Sequence, residues 1–338
     1  MDEYYTSYSE IHYIKNIDYP LPIKNIKNFT IFNKNSKKIF LSNILEDKKE
    51  ILEIKNNAFI FVIDNLEYFH VIADKIFQYE FLKTYITDLK IYFVSLQERE
   101  GNDITLKNRK YMNDIFKIYN QTSEDIIYIQ DKSTCFKNYY YIYNNSDSIF
   151  TGLPNINSWH YYTNPIHYKN IYKKYEHLLS KNKNKKIYIS RKKASKDWEN
   201  KLKENPEHNM FLKIWFERFY PIEWEEKIEN FFIEKGYEIV YLEDLGFIEQ
   251  INLFYNSTHI AMTQGTGVLN IIFTRKNTKI FILNNIAKYR NPSWHIIKGL
   301  NKNINEVFND YVEELDFYDK ISPATIIREL QNNYLDDL

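Results

Sequence analysis

The chain has almost no cysteine. Cys135 is the single cysteine among 338 residues. One thiol cannot form an internal disulfide, so the sequence excludes a disulfide framework and a cysteine-rich metal site. No pattern typical of a nucleophile surrounds Cys135, and we interpret it as a buried apolar residue.

The chain also lacks an excess of either charge. Its 45 basic residues balance its 45 acidic residues, and the isoelectric point is about 7.1. Non-specific binding to a nucleic-acid backbone requires a strong basic excess. We therefore expect no nucleic-acid partner.

Long apolar runs are missing as well. No run of about 18 apolar residues occurs, so the sequence predicts no membrane-spanning helix. The N-terminal residues MDEYYTSYSE are polar and acidic, unlike a secretory signal peptide. We expect a soluble cytoplasmic protein, and a peripheral membrane association stays open.

The pattern of apolar segments predicts an α/β fold. Apolar runs typical of buried strands alternate with amphipathic segments typical of helices, which favours parallel sheets. Strands are predicted at 58–63, 90–94, 187–189, 238–242, 259–262 and 279–283. The length of the chain suits two domains.

A charged segment marks the expected domain boundary. Residues 180–186 are Ser, Lys and Asn without one apolar side chain, which is typical of a linker. We predict an N-terminal α/β domain over 1–179 and a C-terminal Rossmann-like domain over 187–300. The tail, 301–338, is predicted to be helical and to pack back on the N-terminal domain.

Glycine is scarce, and its placement is informative. The chain has 7 glycines, of which Gly265 and Gly267 follow the predicted strand at 259–262. A strand, a glycine turn and a helix direct free backbone N–H groups at an anion. An ordinary tight turn is the alternative, because this pattern alone is a weak signal.

Arginine is scarce too, so one at a strand end is notable. Arg191 follows the predicted strand at 187–189, within the run Ser190–Lys193. This order places a guanidinium at the carboxyl edge of a sheet, where α/β proteins bind ligands. Arginine binds phosphate oxygens with two parallel hydrogen bonds. A surface cation without a ligand is the alternative.

A histidine and an acid lie four residues apart near the start of a predicted helix at 67–77. His70 and Asp74 therefore share one helix face. A histidine has an unperturbed pKa that suits a general base near pH 7. A solvated polar face is the alternative for this pair.

These motifs occur in the order typical of a known family. They are the aromatic-His-acid segment Tyr68–Asp74, the strand into Ser-Arg-basic Tyr188–Lys193, the glycine-strand-acid-helix segment Gly236–Ile251 and the glycine turn Gln264–Phe273. Over about residues 58 to 285, the chain resembles the family-61 glycosyltransferases. That family includes β-1,2-xylosyltransferases and O-linked N-acetylglucosaminyltransferases.

The chain departs from the family pattern at a few positions. Gln264 and Thr266 stand where the family usually has His and Ala. The family's Asn-Glu pair before the third motif has its nearest fit in Ile222-Glu223 or Glu225. These departures leave the donor sugar open.

The resemblance implies a fold and a reaction. It implies GT-B, in which two Rossmann-like domains face each other across a cleft. The C-terminal domain would bind a nucleotide-sugar, expected to be a UDP-sugar, and the N-terminal domain the acceptor hydroxyl of a glycan, lipopolysaccharide or other glycolipid, or capsule. The reaction would be an inverting single displacement. The chain lacks the Asp-x-Asp of metal-dependent transferases, so we expect no metal and no cofactor.

The resemblance also implies roles for particular residues. His70 would be the general base, and Asp74 would orient or replace it. Donor-binding residues would be Arg191, Arg218, Glu243, Gln264, Gly265, Thr266, Gly267 and Asn270. The cations and the turn amides would hold the diphosphate, and Glu243 the ribose or base.

Two alternatives stay open. One is a relative that binds glycans or nucleotides without catalysis, which the replacement of histidine by Gln264 allows. The other is a different Rossmann enzyme that uses NAD or S-adenosylmethionine. Its glycine turn should follow the first strand of its domain, whereas Gly265 and Gly267 come late.

Overall fold

The chain divides into two compact units, Met1–Lys174 and Tyr175–Leu338. The computed structural model describes residues 5–13, 22–31, 51–63, 68, 70–95, 109–128, 133–142, 174–180, 184–204, 206, 220–263, 265–283, 304–307 and 322–334. Each unit has its own sheet.

The sheet of the first unit has a parallel part and an antiparallel edge. Its strands are β1 Tyr5–Tyr13, β2 Pro22–Ile31, β3 Ile51–Val62, β4 Lys90–Ser95, β5 Ile127–Tyr128 and β6 Ser133–Ile142. The order in space is β1-β2-β6-β3-β4-β5. Strands β6, β3, β4 and β5 pair in parallel, and β2 and β1 continue antiparallel. The apolar run predicted at 58–63 ends β3, and Ala58 to Phe61 are buried there.

The helix that carries His70 begins in an unusual form. Residues His70–Ile76 form a π-helix that continues as α1, Phe77–Lys83. Val71, Ile72 and Ile76 are fully buried, so this segment packs into the unit. A π-helix is rare and occurs frequently at functional sites. The second helix of the unit, α2, spans Lys110–Ile118.

The sheet of the second unit is entirely parallel in the residues described. Its strands are β7 Lys185–Ile189, β8 Glu238–Val240, β9 Ser257–Thr263, β10 Lys279–Leu283 and β11 Ile304–Val307. The order in space is β11-β10-β9-β7-β8. From β7 the chain moves to one side to form β8 and then to the other side to form β9. This reversal gives a doubly wound sheet a switch point, here between β7 and β9.

Helices connect these strands. They are α3 Lys192–Glu204, α4 Ile222–Glu234, α5 Phe247–Asn256 and α6 Pro323–Asn333. The helix predicted after the glycine turn is a 3-10 helix, Thr266–Phe273. Its residues Val268 to Phe273 are buried, so packing rather than local propensity sets its form.

The chain passes between the units earlier than the segment 180–186 suggests. Tyr175 is fully buried, and its ring packs on Phe247 and Phe273 of the second unit. Ser180 bonds through its backbone N–H to the side chain of Asn252 in α5. Lys185, within the predicted linker, already belongs to β7 because it pairs with Ser257.

The C-terminal helix packs on the second unit, whereas the sequence prediction placed the tail on the N-terminal domain. Ile326 and Leu330 of α6 are fully buried in one cluster with Phe231 and Phe232 of α4. The two α6 residues are one turn apart, so they present a single apolar stripe. The tail also supplies β11, which pairs with β10.

Leu330→Ala should lower the free energy of unfolding by about 2–5 kcal/mol, because truncating a buried side chain leaves a cavity. Arg328→Ala, at an exposed position of the same helix, should change it by less than about 0.5 kcal/mol. Urea unfolding followed by circular dichroism measures both. Equal small changes in the two variants would show that α6 is not part of this core.

Candidate functional site

The candidate site lies at the carboxyl edge of the second sheet. Ile189 of β7 pairs with Met262 of β9, so the two strands end side by side. Arg191 follows β7 closely, and Gly265 follows β9 closely. In doubly wound sheets, ligands bind in the crevice at this switch point.

The Arg191 guanidinium lies against Gly265. A Cβ atom placed on Gly265 would be 3.2 Å from Nη1 of Arg191 and 3.4 Å from its Cζ. The φ of Gly265 is 178°, which is extended backbone that any residue adopts. The backbone conformation does not require glycine here, whereas a Cβ atom would crowd the guanidinium and make it shift by a few tenths of an ångström. The two residues that the sequence predicted for a diphosphate subsite are neighbours in the structure.

The second glycine, Gly267, leaves room for a side chain that follows a third strand, β8. A Cβ atom on Gly267 would lie 2.5 Å from Cδ1 of Leu242, in the 3-10 turn Leu242–Asp244 after β8. This turn carries the exposed Glu243. Partial desolvation raises the pKa of Glu243, and the charges of Lys193 and Arg191 oppose that rise. Glu243 is thus within electrostatic range of the guanidinium.

Asn270 helps to hold this turn through a chain of hydrogen bonds. Its side chain is fully buried, and its Nδ2 donates to Oε1 of Gln250 at 2.9 Å. Nε2 of Gln250 in turn donates to the carbonyl oxygens of Leu242 and Leu245. Donor binding by Asn270 stays a prediction, and its amide also helps to hold the turn that carries Glu243.

The start of α3 completes the site. Oγ of Ser190 accepts a hydrogen bond from the backbone N–H of Lys192 at 3.1 Å. The helix begins at Lys192, so the first-turn N–H groups and the positive end of the dipole lie at this edge. Lys193 pairs with Asp244 and lies 4.7 Å from the ring centre of Tyr241, which ties the helix start to the end of β8.

Two buried acids of α4, which the sequence analysis did not assign to the site, lie beneath the end of β7. Glu225 is 0% exposed and Glu229 is 7% exposed. The Ser190 hydroxyl donates to Glu229 at 2.7 Å, and the Tyr188 hydroxyl donates to Glu225 at 3.1 Å. Burial raises the pKa of Glu225 to about 7, although the Arg191 charge and the Tyr188 hydroxyl oppose the rise.

The sequence contains a pattern that indicates the burial of these two acids. Glu225 and Glu229 are four residues apart and flank Ile228 on the face of α4 that also carries Phe232. Acids that recur at helical spacing within an apolar face are buried, and buried acids require partners.

Some of the predicted site residues lie outside the described part of the chain. Gln264 and Arg218 lie outside the described residues, as do the side chains of His70, Asp74 and Thr266. The backbone of His70 and Asp74 belongs to the π-helix of the first unit.

The parallel sheet, with an arginine after the strand at its switch point, is compatible with a Rossmann-like α/β protein. The family model Glycosyltransferase 61 matches residues 68–281. The match covers more than half of the chain, which therefore belongs to glycosyltransferase family 61 and is a glycosyltransferase. The resemblance identified from the motifs is confirmed. No curated protein matches the chain.

The matched region spans every site residue that the sequence analysis assigned. Within the described part of the chain, no helix is both long and apolar enough to cross a membrane.

Glu225 should make the stability of the protein depend on pH. Between its ordinary value of 4.5 and about 7, the folded protein keeps the proton that the unfolded chain releases. Stability therefore falls as pH rises through this window, by on the order of 3 kcal/mol. Glu225→Gln should remove this loss, so that the variant gains stability over the wild type between pH 5 and pH 8.

Denaturant unfolding of both proteins at each pH measures this difference. Glu223→Gln removes an exposed acid from the same helix and serves as the matched control. A Glu225→Gln variant whose stability follows the wild type at every pH would contradict the raised pKa.

Proposed function

We propose that the protein transfers a sugar from a nucleotide-sugar, specifically a UDP-sugar, to a hydroxyl of a glycan, lipopolysaccharide or capsule-type acceptor. The reaction is an inverting single displacement that needs no metal. The observation that carries this proposal is the contact of the Arg191 guanidinium with Gly265 at the switch point of the second sheet.

The second unit binds the donor in this proposal. The diphosphate lies over Gly265, where the absence of a side chain leaves room beside the guanidinium. Arg191 binds its oxygens with two hydrogen bonds, and the first turn of α3 adds backbone N–H groups. Glu243, on the turn after β8, accepts hydrogen bonds from the ribose or the base. Arg218, Gln264 and Thr266 are further candidates from the family pattern.

The chemistry follows from where charge develops. The acceptor oxygen attacks the anomeric carbon while the bond from that carbon to the diphosphate oxygen breaks. The leaving diphosphate gains negative charge, which Arg191 and the helix dipole stabilise without a metal ion. The acceptor proton passes to His70, which Asp74 orients. Attack opposite the leaving group inverts the anomeric centre.

The first unit supplies the acceptor side in this proposal, as the GT-B arrangement of the family resemblance implies. His70 and Asp74 follow the carboxyl end of β3, and β3 pairs with β4 on one side and β6 on the other. The chain reverses direction across β3 in this sheet too, so this end is a switch point.

Binding of the donor can be tested with nucleoside diphosphates. We expect UDP to raise the melting temperature of the wild-type protein without added Mg²⁺. Arg191→Ala should weaken UDP binding by about tenfold or more, because a hydrogen bond to a charged group contributes about 1.5–3 kcal/mol. Arg328→Ala, an exposed arginine on α6, is the matched control. No thermal shift with any of UDP, GDP, CDP or ADP would overturn the donor site.

A pair of glycine variants separates binding from folding in the same assay. Gly265→Ala should weaken UDP binding with little change in stability, because its Cβ crowds the guanidinium. Gly236→Ala should instead lower the stability and leave UDP binding unchanged. Gly236 ends α4 with a φ of 78°, and a Cβ there meets no atom within 4 Å. The expected cost of Gly236→Ala is about 1–2 kcal/mol of stability.

Replacement of the proposed base tests the chemical step. His70→Ala should reduce turnover by about 10²–10⁴-fold while UDP binding stays unchanged, because the histidine acts on the acceptor and not on the donor. Turnover is measured with a panel of nucleotide-sugars and glycan acceptors. Full activity of His70→Ala would remove its role. A wild-type protein that binds UDP but turns over no donor would instead be a non-catalytic relative.

A further inference from the structure

The end of β7 is supported from below by two carboxylates. Glu225 and Glu229 project from α4, one helical turn apart, into the space beneath Ser190 and Arg191. Gly265 contacts Arg191 from the other strand end. The proposed diphosphate cation therefore lies against a glycine that leaves room, and it follows a strand end that the two acids hold through hydrogen bonds to Tyr188 and Ser190.

Glu229 fixes the position of the strand ends. Its Oε1 accepts hydrogen bonds from the hydroxyls of Ser190 at 2.7 Å and Tyr241 at 2.8 Å. Its Oε2 lies 3.5 Å from Nζ of Lys192. One carboxylate thus connects the end of β7, the end of β8 and the start of α3.

The carboxyl group of Glu225 has fewer hydrogen bonds to side chains than that of Glu229. Its Oε2 accepts from the Tyr188 hydroxyl at 3.1 Å. Its Oε1 is buried and has no hydrogen-bond partner among the side chains and backbone of the described residues. Oγ1 of Thr263, at the end of β9, is likewise buried without such a partner. A buried carboxylate with an unused oxygen is costly. The backbone N–H of Arg191 interacts with this carboxyl group and lowers its pKa, which offsets part of that cost.

Charge links Glu225 to the guanidinium. Burial raises the pKa of Glu225 to about 7, and the largest opposing influence is the positive charge of Arg191. The other ionisable groups that face Glu225 are Tyr188 of β7 and Glu229 of α4. Tyr220, before α4, influences Tyr188 in turn. Glu225 is therefore partly protonated at neutral pH, and its charge and that of Arg191 are coupled.

We propose that Glu225 is a positioning residue that acts through Arg191: its carboxyl group holds the end of β7, and its charge limits how strongly the guanidinium attracts a diphosphate. The inference rests on the proposed function of Arg191 in donor binding. It adds a residue that tunes the affinity for the donor and for the diphosphate product.

Two consequences follow for binding. A bound diphosphate places negative charge beside Arg191, and like charges disfavour each other, so diphosphate binding favours protonated Glu225. Binding therefore takes up a proton near neutral pH, and the affinity of the wild-type protein falls as Glu225 ionises. The side chain of glutamine keeps the shape and an acceptor oxygen but carries no charge at any pH.

The test measures binding of inorganic pyrophosphate to the full chain by calorimetry between about pH 6 and pH 8.5. Pyrophosphate itself titrates in this range, so the quantity compared is the ratio of the Glu225→Gln affinity to the wild-type affinity. The ratio should be near one at the lowest pH and rise to about ten at the highest pH. A tenfold change corresponds to a rise of about one pKa unit for Glu225 when the ligand binds. The number of protons taken up on binding, measured in buffers of different ionisation enthalpy, should be smaller in Glu225→Gln than in the wild type, because only the contribution of pyrophosphate itself remains.

Three variants make the test specific. Glu225→Ala removes the hydrogen bonds as well as the charge, so it should bind pyrophosphate more weakly than Glu225→Gln at every pH. Glu223→Gln removes an exposed charge from α4 and should follow the wild type. Tyr188→Phe removes the hydroxyl that stabilises ionised Glu225, so the pH midpoint should move upward. This last variant tests the inference even where Glu225→Gln does not fold.

The outcomes separate this inference from the proposed function. A ratio that is constant with pH, or a Tyr188→Phe midpoint that does not move, would overturn the charge role of Glu225. Equal affinities of the Ala and Gln variants would overturn its positioning role. In these cases, loss of binding in Arg191→Ala would still support the donor site. A wild-type protein that binds no pyrophosphate would overturn the donor site and the inference with it.

Discussion

The contact between the Arg191 guanidinium and Gly265 depends on the order of the parallel strands. The guanidinium reaches the glycine only because β7 and β9 are neighbours and end at the same level. That adjacency follows from the reversal of the chain after β8, which leaves no helix crossing directly over the two strand ends. The turn after β8, the start of α3 and the acids of α4 are all arranged around this contact.

Electrostatics bears on why acids accompany Arg191, the cation that we propose binds a diphosphate. An arginine at a strand end keeps its charge, and its long side chain has many conformations in water. Glu229 bonds to the side chains of Ser190 and Lys192 on either side of Arg191, and Glu225, which is partly ionised near pH 7, interacts with the Arg191 charge. Fixed groups need little reorganisation when charge develops on the leaving group.

The sequence predicted the parts of the fold that depend on local pattern. The strands before Arg191 and Gly265 are short apolar runs, and α4 ends at Gly236 with the positive φ expected of a helix terminus. It did not predict that the Asn270 amide donates to Gln250, because local pattern does not encode which side chains meet. The placement of α6 depends on which unit offers an apolar groove, which local pattern does not encode.

The acids were harder to assign for a physical reason. Glutamate on an amphipathic helix usually belongs to the solvated face, and only the apolar neighbours of Glu225 and Glu229 indicate burial. The family usually has histidine at the position of Gln264, directly after β9. Glutamine can donate a hydrogen bond there but cannot change its charge near pH 7. In this chain Glu225, with a pKa raised to about 7 beside Arg191, supplies a titratable group at the same switch point. The pH response of the proposed donor site should therefore come from Glu225 and not from the glycine turn.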